Sequence, residues 1–565
     1  MAALIDIHAP HGIAGHGIST FRDREPRHHP RERCDVKADR TTLGESSWPR
    51  NGLDANGREE WLLDGGTTLR APWMIRLLKL DIDSGWLPVT LFAVTVIGVA
   101  GLFGIALYEA VRSGAAGSRN SGGRNDDGPI GRFRRPAVII AGAAVGFAVG
   151  FSVAWLLDHY LVFGVMLGIK VVWAVAVGLA PLGAAIASIV VTRGARRAAS
   201  AALIPFAVLS CAVNVNAVYG EYPTLGSVLG VSSFSRLDVS RIRAARLSPA
   251  QWRQRAASGD LGAVPSHGRT GSVIIPATTS GFRAREAVVY LPPAALSKTP
   301  PRLPVFLMLS GQPGSPDRAF LAGELSSIFD DYAARHHGLA PIVVSADQLG
   351  NAFHNTLCVD SEKYGDAETY LTRDVTDWIT ANLPASRDPK QWAIGGFSQG
   401  GTCAVQLGPA HPDLYGTMFT VGAELGPHAG SERTMVREYF GGSETAYRRH
   451  VPIDIMRAKG HSDQMLVMAA GQLDGESIDN IGRIAPVAKS IGMETTGLTV
   501  MGSGHDWHAV QQALRTSLDA IGARMGLSDD TDTSIRGSTQ VRVMSIAATD
   551  DDGMGNGNGN EEGER

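Results

Sequence analysis

The sequence predicts an N-terminal α-helical membrane bundle of about four spans, followed by an α/β domain with a mostly parallel sheet. Three observations predict it. Four long apolar stretches fall between residues 87 and 219. From about Gly271 the chain alternates buried strands with amphipathic helices. A glycine-flanked serine, Gly396-Phe397-Ser398-Gln399-Gly400, stands where one such strand turns into a helix.

Composition sets the outer bounds. The 565 residues carry 52 Lys+Arg against 55 Asp+Glu, a net charge of −3. A dedicated nucleic-acid binder would show a basic excess, so the balance argues against that class. Hydrophobic residues make up 44%, enough for a sizeable core. Four cysteines in a chain of this length are no disulfide scaffold, and their spacing fits no zinc motif.

Residues 1–80 are polar and Arg-rich, with irregularly spaced histidines (His8, His11, His16, His28, His29). They predict a disordered tail rather than a metal site. No secretory signal opens the chain, because no short apolar core follows the charged region. Met74, just before the first apolar stretch, is an alternative start.

The four apolar stretches run from about Leu87 to Ala106, Ala137 to Leu157, within Leu161 to Thr192, and Ala201 to Tyr219. At 1.5 Å per residue each can cross roughly 30 Å of hydrocarbon. Trp86, Trp155, Tyr160 and Tyr219 near their ends suit a membrane interface. The third stretch is too long for one span and is interrupted by Lys170, so the span is read as Val171 to Thr192. The loop after the first span holds Arg112, Arg119, Arg124, Arg132, Arg134 and Arg135, and the loop after the third holds Arg193, Arg196 and Arg197. The positive-inside rule puts both in the cytoplasm and the C-terminal domain outside the cell membrane. Arg70, Arg76 and Lys79 before the first span oppose that orientation.

Residues 220–270 read as a connector with a short helix around Ser248–Ala257, and 271–525 as the α/β domain. "SVIIPAT" and "REAVVYLPP" are strands, and "LPVFLMLSG" and "APIVVSAD" are continuous apolar runs, which marks strands buried on both faces. "DRAFLAGELSSIFDDYAAR" and "DAETYLTRDVTDWITANL" have helical period. "QWAIGGFS", "GTMFTVGAEL", "QMLVMAAG" and "TTGLTVMGSG" complete the strands. Residues 526–565, acidic and rich in Gly and Asn, predict a second disordered tail.

The serine carries the chemistry. G-x-S-x-G is common by chance in a Gly-rich chain, but here a strand precedes it and a helix follows it. That context makes it a nucleophile elbow, a sharp turn that lifts the Ser398 hydroxyl clear of the sheet. A hydroxyl needs a positioned base. The next-to-last strand ends in Gln472-Leu473-Asp474-Gly475-Glu476 and the last in His505-Asp506-Trp507-His508. The chain order Ser398, Asp474, His505 is that of the α/β-hydrolase triad, with His505 as base and Asp474 orienting it. His508 and Glu476 are the alternatives. An oxyanion hole needs two backbone donors: Gln399, after the nucleophile, and Gly311 or Gln312, with Gln312 favoured because prolines donate nothing. No metal or cofactor enters this scheme.

The segments "VVYLPP", "LMLSGQPGSP", "GGFSQGGTCAVQLGPAHPDLY" and "GSGHDWHAV" resemble the esterase branch of the α/β-hydrolases, which includes feruloyl esterases, esterase D and the secreted mycolyltransferases of actinobacteria. The resemblance covers about 280–525, and the spans with "NAVYGEYPTLGSVLG" are similar to membrane-anchored actinobacterial forms. It implies ester hydrolysis or acyl transfer without a cofactor, on an ester, acyl-lipid or glycan substrate, and it supports His505 over His508. In mycolyltransferases the acid is a Glu reached differently, which bears on Asp474. A peptidase or thioesterase could use the same triad. A transporter or sensor with a degenerate hydrolase domain is the reading from another class, with Lys170 as its support. Residues 426–461 form a lid or acyl wall whose Arg433, Arg437, Arg448 and Arg449 would meet anionic groups or simply face water. Cys358 and Cys403 could pair outside the membrane or stay as free buried thiols, whereas Cys211 in the fourth span should be reduced.

Overall fold

A computed structural model describes residues 50–53, 59–63, 67–69, 72–78, 80–82, 85–117, 133–160, 168–228 and 234–546. Among the described residues four helices are long and apolar enough to cross a membrane: α1 (Trp86–Gly117), α2 (Arg134–His159), α3 (Ile169–Val191) and α4 (Ala195–Tyr219). Their outward faces carry large apolar side chains such as Ile97, Ile140 and Val190, which a bilayer would cover. Small residues let the backbones approach: a Cβ built on Gly142 or Gly146 would lie within 2.6 Å of α3 atoms.

The expectation of a tail over residues 1–80 and from 526 meets a different structure in part. Arg50–Leu53, Glu59–Leu63 and Thr67–Leu69 form an antiparallel three-stranded sheet, and Pro72–Leu78 is helical. At the other end Val541–Val543 joins the main sheet, because its β-branched residues fit a free strand edge better than their acidic surroundings suggest. Of the two predicted tails, residues 1–49, 54–58, 64–66, 70–71, 79 and 547–565 lie outside the described residues, as do residues 118–132 and 161–167 between the apolar stretches.

The C-terminal domain is built on a mostly parallel sheet with helices on both faces. Its sheet has nine strands: β1 (Arg269–Val273), β2 (Ala287–Leu291), β3 (Val305–Leu309), β4 (Ile342–Ser345), β5 (Trp392–Phe397), β6 (Thr417–Val421), β7 (Met465–Gly471), β8 (Glu494–Val500) and β9 (Val541–Val543). They lie in the order β9-β8-β7-β6-β5-β3-β4-β2-β1. The six strands β3–β8 are parallel, and β1, β2 and β9 are antiparallel additions. Every residue of β3, β5, β6 and β7 is buried, as continuous apolar runs with helices on both faces require. The chain leaves β5 in one direction for β6–β8, having built β3 and β4 on the other side. The carboxyl end of β5 is therefore a topological switch point, where open α/β sheets bind ligands.

One helix expected as continuous is broken. Residues Pro316–Leu321 (α5) and Leu325–Arg335 (α6) are separate helices. Between them Glu324 is left-handed, φ 53°, and a Cβ on Gly323 would sit 3.0 Å from the Trp507 ring. Packing of a fully buried tryptophan overrides the helical period there. The insert at 426–461 folds as three short helices, Glu432–Tyr439, Glu444–Arg448 and Pro452–Lys459. Met435, Val436, Tyr439 and Phe440 of its first helix and its end pack on Leu357 and Val359. Cys358, between those two, is disulfide-bonded to Cys403, which closes the alternative of free thiols; Cys211 is a free cysteine, as expected.

Candidate active site

Loops at the carboxyl ends of β3, β5, β6, β7 and β8 converge at the switch point. Ser398 follows β5 directly and stands at the N-cap position of helix α7 (Gln399–Ala410), with no capping bond from its side chain. Its backbone is left-handed, φ 56° and ψ −122°, a conformation that a non-glycine residue holds only when its surroundings force it. The flanking glycines are the reason it fits. A Cβ on Gly396 would lie 2.2 Å from the Gly400 carbonyl carbon, and one on Gly400 would lie 2.4 Å from the Ser310 oxygen. Gly311 passes beside the serine: a Cβ there would be 3.4 Å from the Ser398 Cβ.

The other two predicted residues meet. Asp474 follows β7 and caps α8 (Gly475–Ser490), its Oδ1 accepting from the Ser477 N–H at 3.2 Å. Its Oδ2 accepts from His505 Nδ1 at 2.7 Å, with side chains only 4% and 11% exposed. The loop that holds His505 is itself pinned by Asp506. Oδ2 of Asp506 accepts from the Gly504 N–H at 2.7 Å, and Oδ1 accepts from the Ala509 N–H at 2.9 Å, capping α9 (Trp507–Arg524). His505 Nε2 is buried and makes no hydrogen bond among the described residues. Rings of His505 and Trp507 flank Phe397, the residue before Ser398, with centroids 5.0 and 4.9 Å away.

The electrostatics follow. Burial works against the charged imidazole of His505. The hydrogen bond and charge of Asp474, with the charges of Glu424 and Asp506, outweigh it and hold His505 above the usual histidine range. Burial likewise works against the Asp474 carboxylate, yet the bond and charge of His505 and the Ser477 bonds hold it below its usual range. The alternatives behave differently. Glu476 is half-buried, and burial and the Asp474 charge raise its carboxyl. His508 is exposed and lies against Gly220 rather than Asp474.

The two residues expected to form the oxyanion hole follow Ser398 and Gly311 directly in the chain. Gln399 opens α7; its Oε1 accepts from Gln348 Nε2 at 3.1 Å, and its Nε2 lies 3.7 Å from the disulfide sulfur of Cys358. Gln312 is held by its side chain, Nε2 donating to the Phe353 carbonyl at 3.1 Å, and precedes a cis proline. Sequence reasoning missed Glu424, in the loop after β6, whose carboxyl burial and the Glu476 charge push up to about 7. The only signal for it was its place at a strand's carboxyl end. Gly422 in the same loop was also missed. Its φ is 67°, and a Cβ there would lie 2.6 Å from His505 Cε1. Among the described residues no group of three or more His, Cys, Asp or Glu is arranged to hold a metal.

A parallel sheet with a strained serine at its switch point, a histidine and an acid in the following strand-end loops defines the class, an α/β hydrolase. The chain belongs to the esterase family: the sequence profile described as "Putative esterase" matches residues 281–481, which include Gln312, Ser398 and Asp474. An uncharacterized protein of Corynebacterium glutamicum is 32% identical over 346 residues, spanning 60% of this chain and 79% of that protein. Among solved structures, an S-formylglutathione hydrolase from Agrobacterium tumefaciens is 17% identical, covering 47% of this chain and 98% of that one, with a TM-score of 0.39. A ferulic acid esterase is 15% identical (46% and 98% covered, TM-score 0.38), and MPT51 of Mycobacterium tuberculosis is 16% identical (45% and 98% covered, TM-score 0.34).

Proposed function

We propose that this protein is a membrane-anchored serine esterase that works through an acyl-enzyme on Ser398, at the outer face of the cell membrane. The observation that carries the reading is the 2.7 Å Asp474–His505 bond beside a left-handed Ser398 at the end of β5. His505 takes the Ser398 proton through Nε2 as the hydroxyl attacks the ester carbonyl, then returns it to the leaving alcohol. Asp474 keeps the Nδ1 proton in place and stabilises the imidazolium. The N–H groups of Gln399 and Gln312 receive the oxyanion. Water then releases the acid; an acceptor alcohol on a glycan or lipid would make the same enzyme an acyltransferase. The Arg-rich loops after the first and third helices support the orientation.

The test is Ser398→Ala in the full chain. Turnover of p-nitrophenyl esters should fall by roughly 10⁴-fold, and fluorophosphonate labelling should occur at Ser398 and vanish in the variant. Label on a different serine would remove the assignment. A panel of chain lengths, with and without a glycan acceptor, separates hydrolysis from transfer.

A further inference from the structure

The end of the last membrane helix touches the hydrolase domain at the loop that carries His505. Helix α4 ends at Tyr219, and Glu221 follows two residues later. Oε2 of Glu221 accepts from the Trp507 indole N–H at 2.7 Å, across 286 residues of chain. Its Oε1 lies 3.5 Å from Arg318 Nε. Arg318 is 4% exposed, stacks over the Tyr222 ring at 4.6 Å, and donates to the Glu221 and Ser227 carbonyls. Arg318 belongs to α5, which starts just after Gly311–Gly314, and Trp507 is two residues past His505.

Glu221 thus reaches both sides of the candidate site through two buried side chains. Trp507 matters most, since its ring lies against Phe397, and Phe397 lies against His505. A second membrane helix holds the same loop from its other end: Lys170, in the first turn of α3, donates to the Gly502 carbonyl, while the Gly502 N–H is held by Gln472. Lys170, Val218 and Tyr219 face Leu473, Gly504 and His505 across a narrow cleft.

We propose that Glu221 is a positioning residue for catalysis, setting the place of His505 through Trp507, so that the membrane region is part of the active-site scaffold and not only a tether. The inference rests on the triad reading above. Glu221 touches no substrate. It acts by fixing the indole that walls in Phe397 and the histidine loop, and misplacement of a base by about 1 Å is enough to cost up to ~10²-fold in rate. The bond needs an acceptor at Glu221 Oε2 and a donor at Trp507 Nε1, and nothing else.

The experiment uses the full chain in detergent micelles, with active sites titrated to completion by fluorophosphonate so that kcat is expressed per competent Ser398. Glu221→Ala should lower kcat ~10-fold or more, with KM within about twofold. Trp507→Phe loses the donor together with part of a buried ring, and should give at least as large a loss. The double variant should be no slower than the worse single, because both remove one bond. Glu221→Gln keeps an acceptor and should restore most of kcat. A residue that only holds the domains together would lower the yield of titratable enzyme and leave kcat per site unchanged; that result, or multiplying losses in the double variant, overturns the proposal. If Glu221→Ala gives no folded protein, Trp507→Phe decides alone, and a wild-type kcat overturns it. Failure of the wild-type chain to label at Ser398 would instead refute the function reading, and this inference with it.

Discussion

Asp474→Asn tests the proposed chemistry at its most discriminating point, because the two carboxylate oxygens have separate tasks. Oδ1 caps α8 through the Ser477 N–H and Oδ2 holds His505 Nδ1. Asparagine can keep its one oxygen on the cap, and Asn and Asp are near-equal caps, so stability should barely change. The amide NH₂ then faces His505. Only an unprotonated Nδ1 can accept from it, which moves the ring proton to Nε2, the atom that must take the proton of Ser398. The charge is lost as well. Opposite charges about 4 Å apart interact by about 4 kcal/mol at an effective dielectric near 20. At 1.36 kcal/mol per tenfold in rate, kcat should fall ~10³-fold. The pH profile has a definite sign. The base must be neutral, so wild-type kcat/KM rises as pH passes the raised His505 value, above the unperturbed pKa of about 6.5. Removing Asp474 removes the first two causes that raise it and leaves burial, so the rising limb should move to lower pH in the variant. The assay is ester hydrolysis across the neutral range with unfolding measured in parallel. A kcat within tenfold of wild type, or a limb that does not move down, refutes the role. If Glu476→Gln takes the loss instead, the acid lies two residues later.

Three further outcomes are expected. Gly422→Ala would drive a methyl into the His505 ring at a left-handed backbone position, so kcat per titrated site should fall on the order of 10²-fold; an unaffected kcat would mean that His505 is not the base. Replacing both Cys358 and Cys403 by Ala releases a cross-link spanning 45 residues, worth about 4 kcal/mol by the chain-entropy relation, readable as a lower denaturation midpoint; an unchanged midpoint would show that the bond constrains little. A phosphatase fused after Tyr219 should be active and one fused near Arg124 inactive, and the reverse pattern would put the hydrolase domain in the cytoplasm.

What was legible in the sequence was what local sterics or burial on both faces dictates. Gly396 and Gly400 announce the elbow because no side chain fits beside that turn. The runs of β3 and β5 read as strands because every residue in them is buried. Asp474 and His505 could be paired because strand ends in a parallel sheet converge at one edge. The illegible features depend on distant partners. The helix break at Gly323 exists for Trp507, whose ring comes from a segment nearly two hundred residues later. Glu221 looks like an ordinary connector acid, and only the fold brings Arg318 and Trp507 to it. Glu424 has no motif, and its surroundings are assembled from two other strand-end loops.

Strand β9 has a practical consequence for anyone dissecting the enzyme. Val541 and Val543 pair with Val500 and Leu498, and on either side Met501 and Met544 extend the ladder through the Gln540 and Gly497 carbonyls. A fragment cut at residue 525, where the amphipathic pattern ends, would bare β8 along its hydrogen-bonding edge. Uncovered edges of this kind recruit a second copy of the same strand. Such a fragment would run as an oligomer whose stoichiometry reports the cut and not the native protein. It would also fray the strand that delivers His505 five residues on, so that a weak specific activity would be misread as a poor enzyme. The smallest faithful catalytic unit therefore ends beyond Val543.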